Sequence, residues 1–360
     1  MKIAVPLLCA TLRQVFAIAL LFVATQVFAE NKVNSPANEP ALRYIQSNGI
    51  RMRIAEMGQG PLVILVHGWP ESWYSWRHQL PALAAAGFHA VAPDMRGYGK
   101  SDKPQDVESY DIHHVTADIV GIVDALGEKS AMLVGHDWGA IVGWHCMLLH
   151  PERFTAYIAM SVPYAGHGQQ SLIQTLQKAY NDNFYYILYF QEPGVAEKEF
   201  DSDPRGILSR LYLSPDSPRE APVVTDPKRA AGGWIPRLGA PKGLPPWLTQ
   251  TELDYYVNEF KEAGLRGGIN YYRNFHHNWE STPQLADAKV SAPVYFIAGE
   301  KDVVIRGATA EGLTASMRNA VSDLRGVKLF PNAGHWIQQE RADEVNATLI
   351  EFLQSVKPAR

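Results

Sequence analysis

Six short apolar runs constrain the fold of this 360-residue chain more than any other feature of its sequence. Each run is rich in Val, Ile or Leu and ends in turn residues; the runs are residues 62–68, 89–97, 131–137, 155–163, 292–300 and 327–335. Strands that are apolar on both faces are typical of a parallel sheet covered by helices on both sides. Amphipathic segments such as Val115–Leu126 and Ala140–Leu149 predict those helices, and an Asn-Gly pair between Tyr44–Ser47 and Met52–Met57 predicts an opening hairpin. The sequence therefore predicts an α/β fold, with a mostly parallel sheet whose ligands bind at the carboxyl ends of the strands.

The regular pattern is interrupted between residues 163 and 290, a stretch rich in Tyr, Trp, Pro and Gly. An insertion of this size between two strands predicts a helical cap above the sheet edge, flanked by core segments at residues 30–162 and 291–360. Its aromatic side chains would either wall a pocket and exclude water or form the core of the cap itself. The sequence leaves both interpretations open.

The turn after the third run places Asp137 at the apex of Gly135-His136-Asp137-Trp138-Gly139. Glycines two residues away on either side of a central residue are typical of a nucleophile elbow, although hydrolases usually have serine at the apex. Aspartate at a strand-to-helix turn can also cap the helix N-terminus. An N-cap does not require two flanking glycines, so the spacing favours a nucleophilic carboxylate.

Two further polar residues follow apolar runs near the end of the chain. Asp302 follows residues 292–300, and His335 ends the last run. Alone, they would be interpreted as a turn residue and a structural histidine. Together with Asp137 they give the order nucleophile, acid, histidine, which is that of the α/β-hydrolase triad. The carboxyl ends of parallel strands would bring all three to one edge of the sheet.

The first run of the series ends in His67-Gly68-Trp69-Pro70. At this point an α/β-hydrolase places one backbone N–H of its oxyanion hole, and the residue after the nucleophile supplies another. Those donors would be the amides of Trp69 and Trp138. The Trp69-Pro70 bond is predicted to be cis, because such bonds occur where a tight turn requires them.

Several motifs closely resemble the soluble epoxide hydrolases of the α/β-hydrolase superfamily, especially the hydrolase domain of the vertebrate enzyme. They read HGWPESWYSW, APDMRGYGKSDKP, GHDWGA, YYILYFQEPG, NYYRNFHHNW, AGEKD and AGHW, and the match as a whole covers nearly all of residues 42–355. The resemblance implies an α/β-hydrolase fold with a helical cap. It also implies that Asp137 is the nucleophile, Asp302 the charge-relay acid and His335 the base. Tyr186 and Tyr272 match the two cap tyrosines that bind the epoxide oxygen in that family.

The resemblance implies hydrolysis of an epoxide to a vicinal diol through an ester on Asp137, without cofactor or metal. Phe190 and Trp336 are expected to line an apolar substrate pocket, so the expected partners are a small apolar epoxide and water. The formal net charge of −4 and the absence of a basic run argue against nucleic acid. Two adjacent histidine pairs, at residues 113–114 and 276–277, are the remaining candidates for metal ligands, but they lack the spacing of a metal site. Whether the chain forms a homodimer is left open.

Two other functions fit part of the pattern. A haloalkane dehalogenase would use the same triad but expel halide, which needs N–H donors rather than the acid that two tyrosines provide. An inactive binding protein could retain the fold without activity, although a complete triad argues against it. Trp69, where the family often has Phe, and Ile187, where the vertebrate enzyme has a polar residue, leave the substrate undetermined.

Residues 1–29 have the pattern of a signal peptide. Lys2 and Arg13 precede the apolar run Val15–Val23, and small residues then predict cleavage after Ala29. The expected location is the periplasm or the medium, with an uncleaved N-terminal membrane anchor as the alternative. Cleavage would remove Cys9 and leave Cys146 alone, so no internal disulfide is expected.

Overall fold

The structure is a computed structural model that describes residues 39–357. Their strands form a single eight-stranded sheet in the order β1-β2-β4-β3-β5-β6-β7-β8. The strands are β1 Ala41–Ser47, β2 Ile50–Met57, β3 Leu62–Val66, β4 His89–Pro93, β5 Ala131–His136, β6 Phe154–Met160, β7 Val294–Gly299 and β8 Leu324–Phe330. Strand β2 pairs antiparallel with both β1 and β4, and all other neighbours are parallel. The predicted α/β fold with a mostly parallel sheet and the opening hairpin are thus confirmed, and every predicted run overlaps a strand.

Helices cover both faces of the sheet. In chain order, the first three are α1 Gln79–Ala85, α2 Ile112–Ala125 and α3 Trp138–Leu149. Strand β3 shows why its sequence is apolar throughout. Leu62, Ile64 and Val66 join one hydrophobic cluster with α2 and α3, whereas Val63 and Leu65 join a second cluster with α1. Alternate side chains of a strand point to opposite faces, so a strand buried on both sides needs apolar residues at every position.

Seven α-helices lie between β6 and β7, within the interval predicted as the cap. They are α4 Leu172–Tyr180, α5 Tyr186–Tyr189, α6 Val195–Ser202, α7 Pro204–Leu211, α8 Gln250–Ala263, α9 Arg266–Arg273 and α10 Phe275–Ser281. Capping boxes begin α4 and α8, where Ser171 and Thr249 exchange hydrogen bonds with Gln174 and Glu252. The chain returns to the sheet at β7 and ends with α11 Ala310–Met317, α12 Ile337–Glu340 and α13 Ala342–Ser355.

Helix α8 is joined to the sheet segments by buried ion pairs. Arg53 on β2 pairs with Asp94, at 2.5 Å, and with Glu259 on α8. Arg77 pairs with Glu252 at the start of the same helix, at 2.8 Å. Because a buried charge without a partner is costly, these pairs restrict where α8 can lie above the sheet.

The predicted signal peptide, with its alternative as a membrane anchor, lies outside the described residues. Within residues 39–357, no helix has both the length and the hydropathy required to cross a membrane. Cys146 on α3 is buried and free, and burial raises its pKa well above the ordinary range of a thiol. Cys146 is therefore a small residue of the core.

The packing of the elbow gives a stability prediction for Gly139 on α3. A Cβ atom there would lie 1.9 Å from the carbonyl oxygen of Val66 on the neighbouring strand, so Gly139→Ala requires the backbone to move. We expect a loss of about 1–3 kcal/mol or more in the free energy of unfolding, measured by chemical denaturation. Gly312→Ala is the matched control, because Gly312 is an exposed helical glycine whose nearest neighbouring atom would be 3.5 Å from the new Cβ. That variant should be stabilised by several tenths of a kcal/mol, and equal effects of the two substitutions would contradict the packing argument.

Candidate active site

Asp137 occupies a sharp turn between β5 and α3. Its backbone adopts φ 53° and ψ −117°, a conformation that side-chain-bearing residues rarely adopt. The carboxylate makes no capping hydrogen bond to α3. Instead, its Oδ1 accepts a hydrogen bond from the backbone N–H of Trp69, at 2.8 Å. The geometry therefore disfavours the N-cap interpretation and directs the carboxylate towards the loop after β3.

His335 lies between the two aspartates identified from sequence. Its Nδ1 is 3.0 Å and 3.1 Å from the two carboxylate oxygens of Asp302. On the other side of the ring, Nε2 is 3.6 Å from Oδ2 of Asp137. The side chain of Asp302 is fully buried, whereas those of His335 and Asp137 are 15% and 14% exposed. The structure thus brings the three predicted residues together. Asp302 lies behind His335, whereas His335 and Asp137 face accessible space.

The charges of this triad depend on one another. Burial alone would raise the pKa of Asp302, but the imidazole of His335 outweighs burial and holds that pKa below its usual value. Burial would lower the pKa of His335, yet Asp302 and Asp137 together raise it well above the ordinary value of histidine. Both carboxylates therefore favour the protonated form of His335, and His335 in turn favours the ionised form of Asp302.

The loop after β3 packs directly against Asp137. A Cβ atom on Gly68 would lie 2.4 Å from Cβ of Asp137, so only glycine allows this approach. The approach brings the N–H of Trp69 onto the carboxylate, and the Trp69-Pro70 bond is cis, as predicted. The second predicted donor, the amide of Trp138, begins α3, and the first N–H groups of a helix have no partner within the helix.

A buried hydrogen-bond network behind the triad was not predicted. Glu71 accepts a hydrogen bond from the N–H of Gly68, at 2.9 Å, and its other oxygen accepts one from the side chain of Gln338, at 2.7 Å. Nδ1 of His136 lies 2.8 Å from Glu71, and Nε2 of His136 donates to the carbonyl oxygen of His335, at 2.8 Å. Glu71 therefore connects the loop after β3, the end of β5 and the loop after β8.

The charge of Glu71 is stabilised despite its burial. Burial would raise its pKa, but His136 and the N–H of Gly68 outweigh burial and lower that pKa to about 2. The sequence shows only that Glu71 follows the Gly68 turn and that His136 precedes Asp137. That signal places both residues near the site but cannot reveal that they contact each other.

The triad opens into a cavity of about 560 Å³. Trp336 lines it as predicted, but Phe190 does not and is fully buried. The Phe190 ring packs behind the two candidate tyrosines, with centroids 5.0 Å from Tyr272 and 5.6 Å from Tyr186. Phe190 is thus a support for the wall of the cavity, because the one-turn helix α5 directs Tyr186, and not Phe190, into the open space.

Tyr186 and Tyr272 both line the cavity together with Asp137. Their rings are perpendicular, with centroids 5.9 Å apart, and come from α5 and α9. Burial, followed by the charge of Asp137, raises the pKa of each phenol well above its ordinary value, so both remain protonated at neutral pH. Two tyrosines of the helices between β6 and β7 thus line the same space as the carboxylate of Asp137.

The neighbouring tyrosines have other contacts. Tyr271 donates to the carbonyl oxygen of Arg96, at 2.9 Å, and Tyr189 donates to Glu199, at 2.9 Å. The ring of Tyr185 packs on Tyr180, with centroids 4.4 Å apart. Sequence resemblance therefore selected the two tyrosines that face the cavity.

The cavity differs from the predicted apolar pocket in one respect, because four cationic side chains also line it. The full set of lining residues is Trp69, Pro70, Asp137, Tyr186, Arg210, Leu211, Leu213, Pro215, Arg219, Trp234, Leu238, Tyr272, Lys301, Val303, Val304, Arg306, Gly334, His335 and Trp336. Among residues 39–357, no group of three or more His, Cys, Asp or Glu side chains is arranged to hold a metal ion.

Comparison with known proteins gives consistent matches over this region. The family described as alpha/beta hydrolase fold matches residues 61–342. Epoxide hydrolase A of Mycobacterium tuberculosis is 45% identical over 327 residues, which are 88% of this chain and 98% of that protein. Bifunctional epoxide hydrolase 2 of Sus scrofa is 36% identical over 309 residues, 85% of this chain but 54% of the longer protein. The crystal structure of epoxide hydrolase A from Mycobacterium thermoresistibile superposes with a TM-score of 0.80 at 43% identity, covering 89% of this chain and 100% of that one.

The buried network predicts a large effect of Glu71→Gln. Glutamine keeps the shape but offers one acceptor oxygen where Glu71 uses two, so a buried donor loses its partner. We expect a loss of about 1–3 kcal/mol in the free energy of unfolding at pH 7, measured by urea denaturation. Glu300→Gln is the matched control, because Glu300 is exposed and accepts only one hydrogen bond, from the N–H of Asn332 at 3.2 Å. Similar stabilities of the two variants would show that the network is not important for the fold.

Proposed function

This chain belongs to the epoxide hydrolases of the α/β-hydrolase fold family, and we propose that Asp137 opens the epoxide ring by direct attack on one of its carbons. The observation that carries this assignment is the shared cavity. The carboxylate of Asp137 and the phenols of Tyr186 and Tyr272 line the same space, and His335 lies beside the carboxylate. An epoxide bound there would have a nucleophile at its carbon and proton donors at its oxygen.

In the first step, the two oxygens of Asp137 have different roles. Oδ1 is held by the N–H of Trp69, whereas Oδ2 faces His335 and the cavity. Attack by Oδ2 on a ring carbon forms the ester bond and breaks the C–O bond of the epoxide. Oδ1 then becomes the ester carbonyl oxygen, still in contact with the N–H of Trp69.

The ring oxygen leaves as an alkoxide, which needs a proton. Tyr186 and Tyr272 are protonated and are directed into the cavity, so either can hydrogen-bond the epoxide oxygen and one can donate its proton as the ring opens. Two donors also fix the orientation of the ring before attack. A departing halide would need no proton, so the pair favours an epoxide over a haloalkane.

The second step requires neutral His335. In the free enzyme, the negative charge of Asp137 contributes to the raised pKa of His335. Ester formation removes that charge and lowers the pKa of His335, so the imidazolium can return a proton to the phenolate left by ring opening, and the neutral imidazole can then accept a proton from water. The resulting hydroxide attacks the ester carbonyl, and the amides of Trp69 and Trp138 stabilise the tetrahedral oxyanion. Collapse breaks the ester C–O bond, the departing alkoxide takes up the proton brought by the hydroxide, and the vicinal diol leaves with Asp137 restored as a carboxylate.

We further propose that the chain is exported and that a signal peptidase cleaves it after Ala29, on the basis of the charged and apolar N-terminal pattern. N-terminal sequencing of protein recovered from periplasm and medium tests this proposal. A chain that keeps residues 1–29 and sediments with membranes would instead support the anchor. Light scattering of the purified protein determines whether it is a monomer or a homodimer.

The division of roles predicts that His335→Gln separates the two steps. Alkylation needs Asp137 and the tyrosines, whereas ester hydrolysis needs the base, so the variant should accumulate an ester after exposure to an epoxide. Intact-protein mass spectrometry should show one added epoxide per chain, with the adduct on the peptide that contains Asp137. A double variant that also carries Asp137→Asn is the control and should show no adduct. A folded His335→Gln protein that binds the epoxide but gains no mass would refute the assignment.

The cap tyrosines are predicted to act in alkylation alone. Tyr186→Phe and Tyr272→Phe should each slow ester formation by ~10²-fold, because a positioned general acid contributes ~10²–10⁴ to the rate. The rate can be followed by stopped-flow fluorescence, since Trp138 is adjacent to the nucleophile. Tyr185→Phe is the matched control and should retain the wild-type rate, because that ring packs on Tyr180 outside the cavity. Wild-type alkylation in the double phenylalanine variant would eliminate the tyrosines as acids.

A further inference from the structure

We propose that Glu199 on α6 is a positioning residue for ring opening, because it holds the loop against which the ring of Tyr186 stacks. The inference rests on the proposed function and adds a residue to it. It concerns residues 212–249, which connect α7 to α8 and whose Trp234 lines the cavity. Glu199 does not line the cavity, so its effect on the reaction must pass through the groups that it contacts.

The position of the Tyr186 phenol depends on ring packing. Its O–H forms no hydrogen bond with any other group in residues 39–357. Helix α5 consists of the single turn Tyr186–Tyr189, and a helix of one turn has little stability of its own. Of the rings around Tyr186, that of Trp234 lies closest, with centroids 4.8 Å apart and planes at 16°. The orientation of the phenol therefore follows the position of Trp234.

Trp234 comes from a segment with little regular structure. Residues 212–249 contain only two single turns of 3-10 helix, at Arg229–Ala231 and Ile235–Arg237. The Trp234 ring is also nearly parallel to that of Trp69, with centroids 5.9 Å apart and planes at 10°. Because ordering a loop costs conformational entropy, specific contacts are needed to hold the indole in one place.

The carboxylate of Glu199 supplies these contacts. Its Oε2 accepts a hydrogen bond from the backbone N–H of Trp234, at 2.8 Å, and Oε1 accepts one from the N–H of Ile235, at 3.0 Å. Tyr189, on the same helical turn as Tyr186, donates its O–H to Oε2, at 2.9 Å. Hydrogen bonds to a carboxylate are stronger than those between neutral groups. One side chain thus connects α5 to the loop against which α5 packs.

Gly233 allows the carboxylate to approach the backbone of the loop. A Cβ atom on Gly233 would lie 2.2 Å from Oε1 and 2.4 Å from Cδ of Glu199, so any side chain there would displace the carboxylate. Within residues 39–357, Glu199 forms no ion pair with a cationic side chain. Its oxygens are therefore used to bind the donors of α5 and of the loop.

Glu199 could instead contribute only to the stability of the cap. The two explanations predict different kinetics. Loss of a merely structural contact would affect both half-reactions, and it would do so whether or not Tyr186 carries its hydroxyl. A residue that positions the hydroxyl acts on ester formation alone, and its effect disappears when the hydroxyl is absent.

The test measures the two half-reactions separately, with an epoxide that the wild type hydrolyses. Ester formation is followed by rapid quenching and intact-protein mass spectrometry in the His335→Gln background, where the ester accumulates. Glu199→Gln offers one acceptor oxygen in place of two and should slow this step ~10-fold, because a misplacement of ~1 Å can cost ~10²-fold in rate. With His335 intact, the decay of the ester in a single turnover should be unchanged.

A comparison with and without the Tyr186 hydroxyl identifies the route of the effect. In the Tyr186→Phe background, Glu199→Gln should slow ester formation by about two-fold or less, because effects that pass through one shared group are not additive. Gly233→Ala is the second variant, which keeps Glu199 but displaces its carboxylate. It should reproduce the slower ester formation and the dependence on Tyr186, even if Glu199→Gln does not fold.

Glu192→Gln is the matched control. Glu192 lies just before α6 and is exposed, and its carboxylate accepts no hydrogen bond within residues 39–357, so both half-reactions should keep their wild-type rates. Unchanged ester formation in Glu199→Gln and Gly233→Ala, or the same loss with and without the Tyr186 hydroxyl, would overturn the positioning role while leaving the proposed function intact. If the parent protein forms no ester with any epoxide, the proposed function fails and the positioning role fails with it.

Discussion

The contact between the backbone N–H of Trp69 and the carboxylate of Asp137 is the interaction on which the rest of the site depends. It exists because β3 and β5 are neighbouring parallel strands that end at the same level. Glycines allow their two exit loops to touch, and the positive φ of Asp137 turns its side chain towards the other loop. Such a conformation is unfavourable for aspartate by itself. The surrounding sheet and helix packing therefore maintains a geometry that an isolated turn would not adopt.

The candidate site consists of two layers, the sheet with its loops and the helices between β6 and β7. The sheet layer holds the charged groups, and Glu71 connects the loop after β3, the end of β5 and α12 through Gly68, His136 and Gln338. The cap layer contributes neutral donors and apolar walls, and aromatic contacts such as that between Phe190 and Tyr272 hold them in place. The largely buried ion pairs of Arg53 and Arg77 join α8 to the sheet segments. Contacts remote from Asp137, Tyr186 and Tyr272 thus also connect the two layers.

The sequence was most informative where function depends on local chain geometry. The strands and the elbow could be predicted because each is encoded by a few consecutive residues. The same holds for the triad, because Asp137, Asp302 and His335 each follow a strand that is recognisable in the sequence. The contact of Glu71 with His136 could not, since these residues are 65 positions apart and meet only when β3 and β5 pair. Phe190 was misassigned for a related reason. Whether an aromatic residue faces a cavity or packs behind it depends on helix orientation, and a one-turn helix leaves no periodicity from which to infer it.

The link between the charge of Asp137 and the basicity of His335 has a consequence for the timing of turnover. In the proposed cycle, the free carboxylate of Asp137 raises the pKa of His335 and so disfavours the neutral imidazole that activates water. Ester formation removes that charge, which lowers the pKa of the same imidazole and favours its action as a base. Formation of the ester intermediate therefore itself promotes the hydrolysis that follows. No separate signal between the two half-reactions is required.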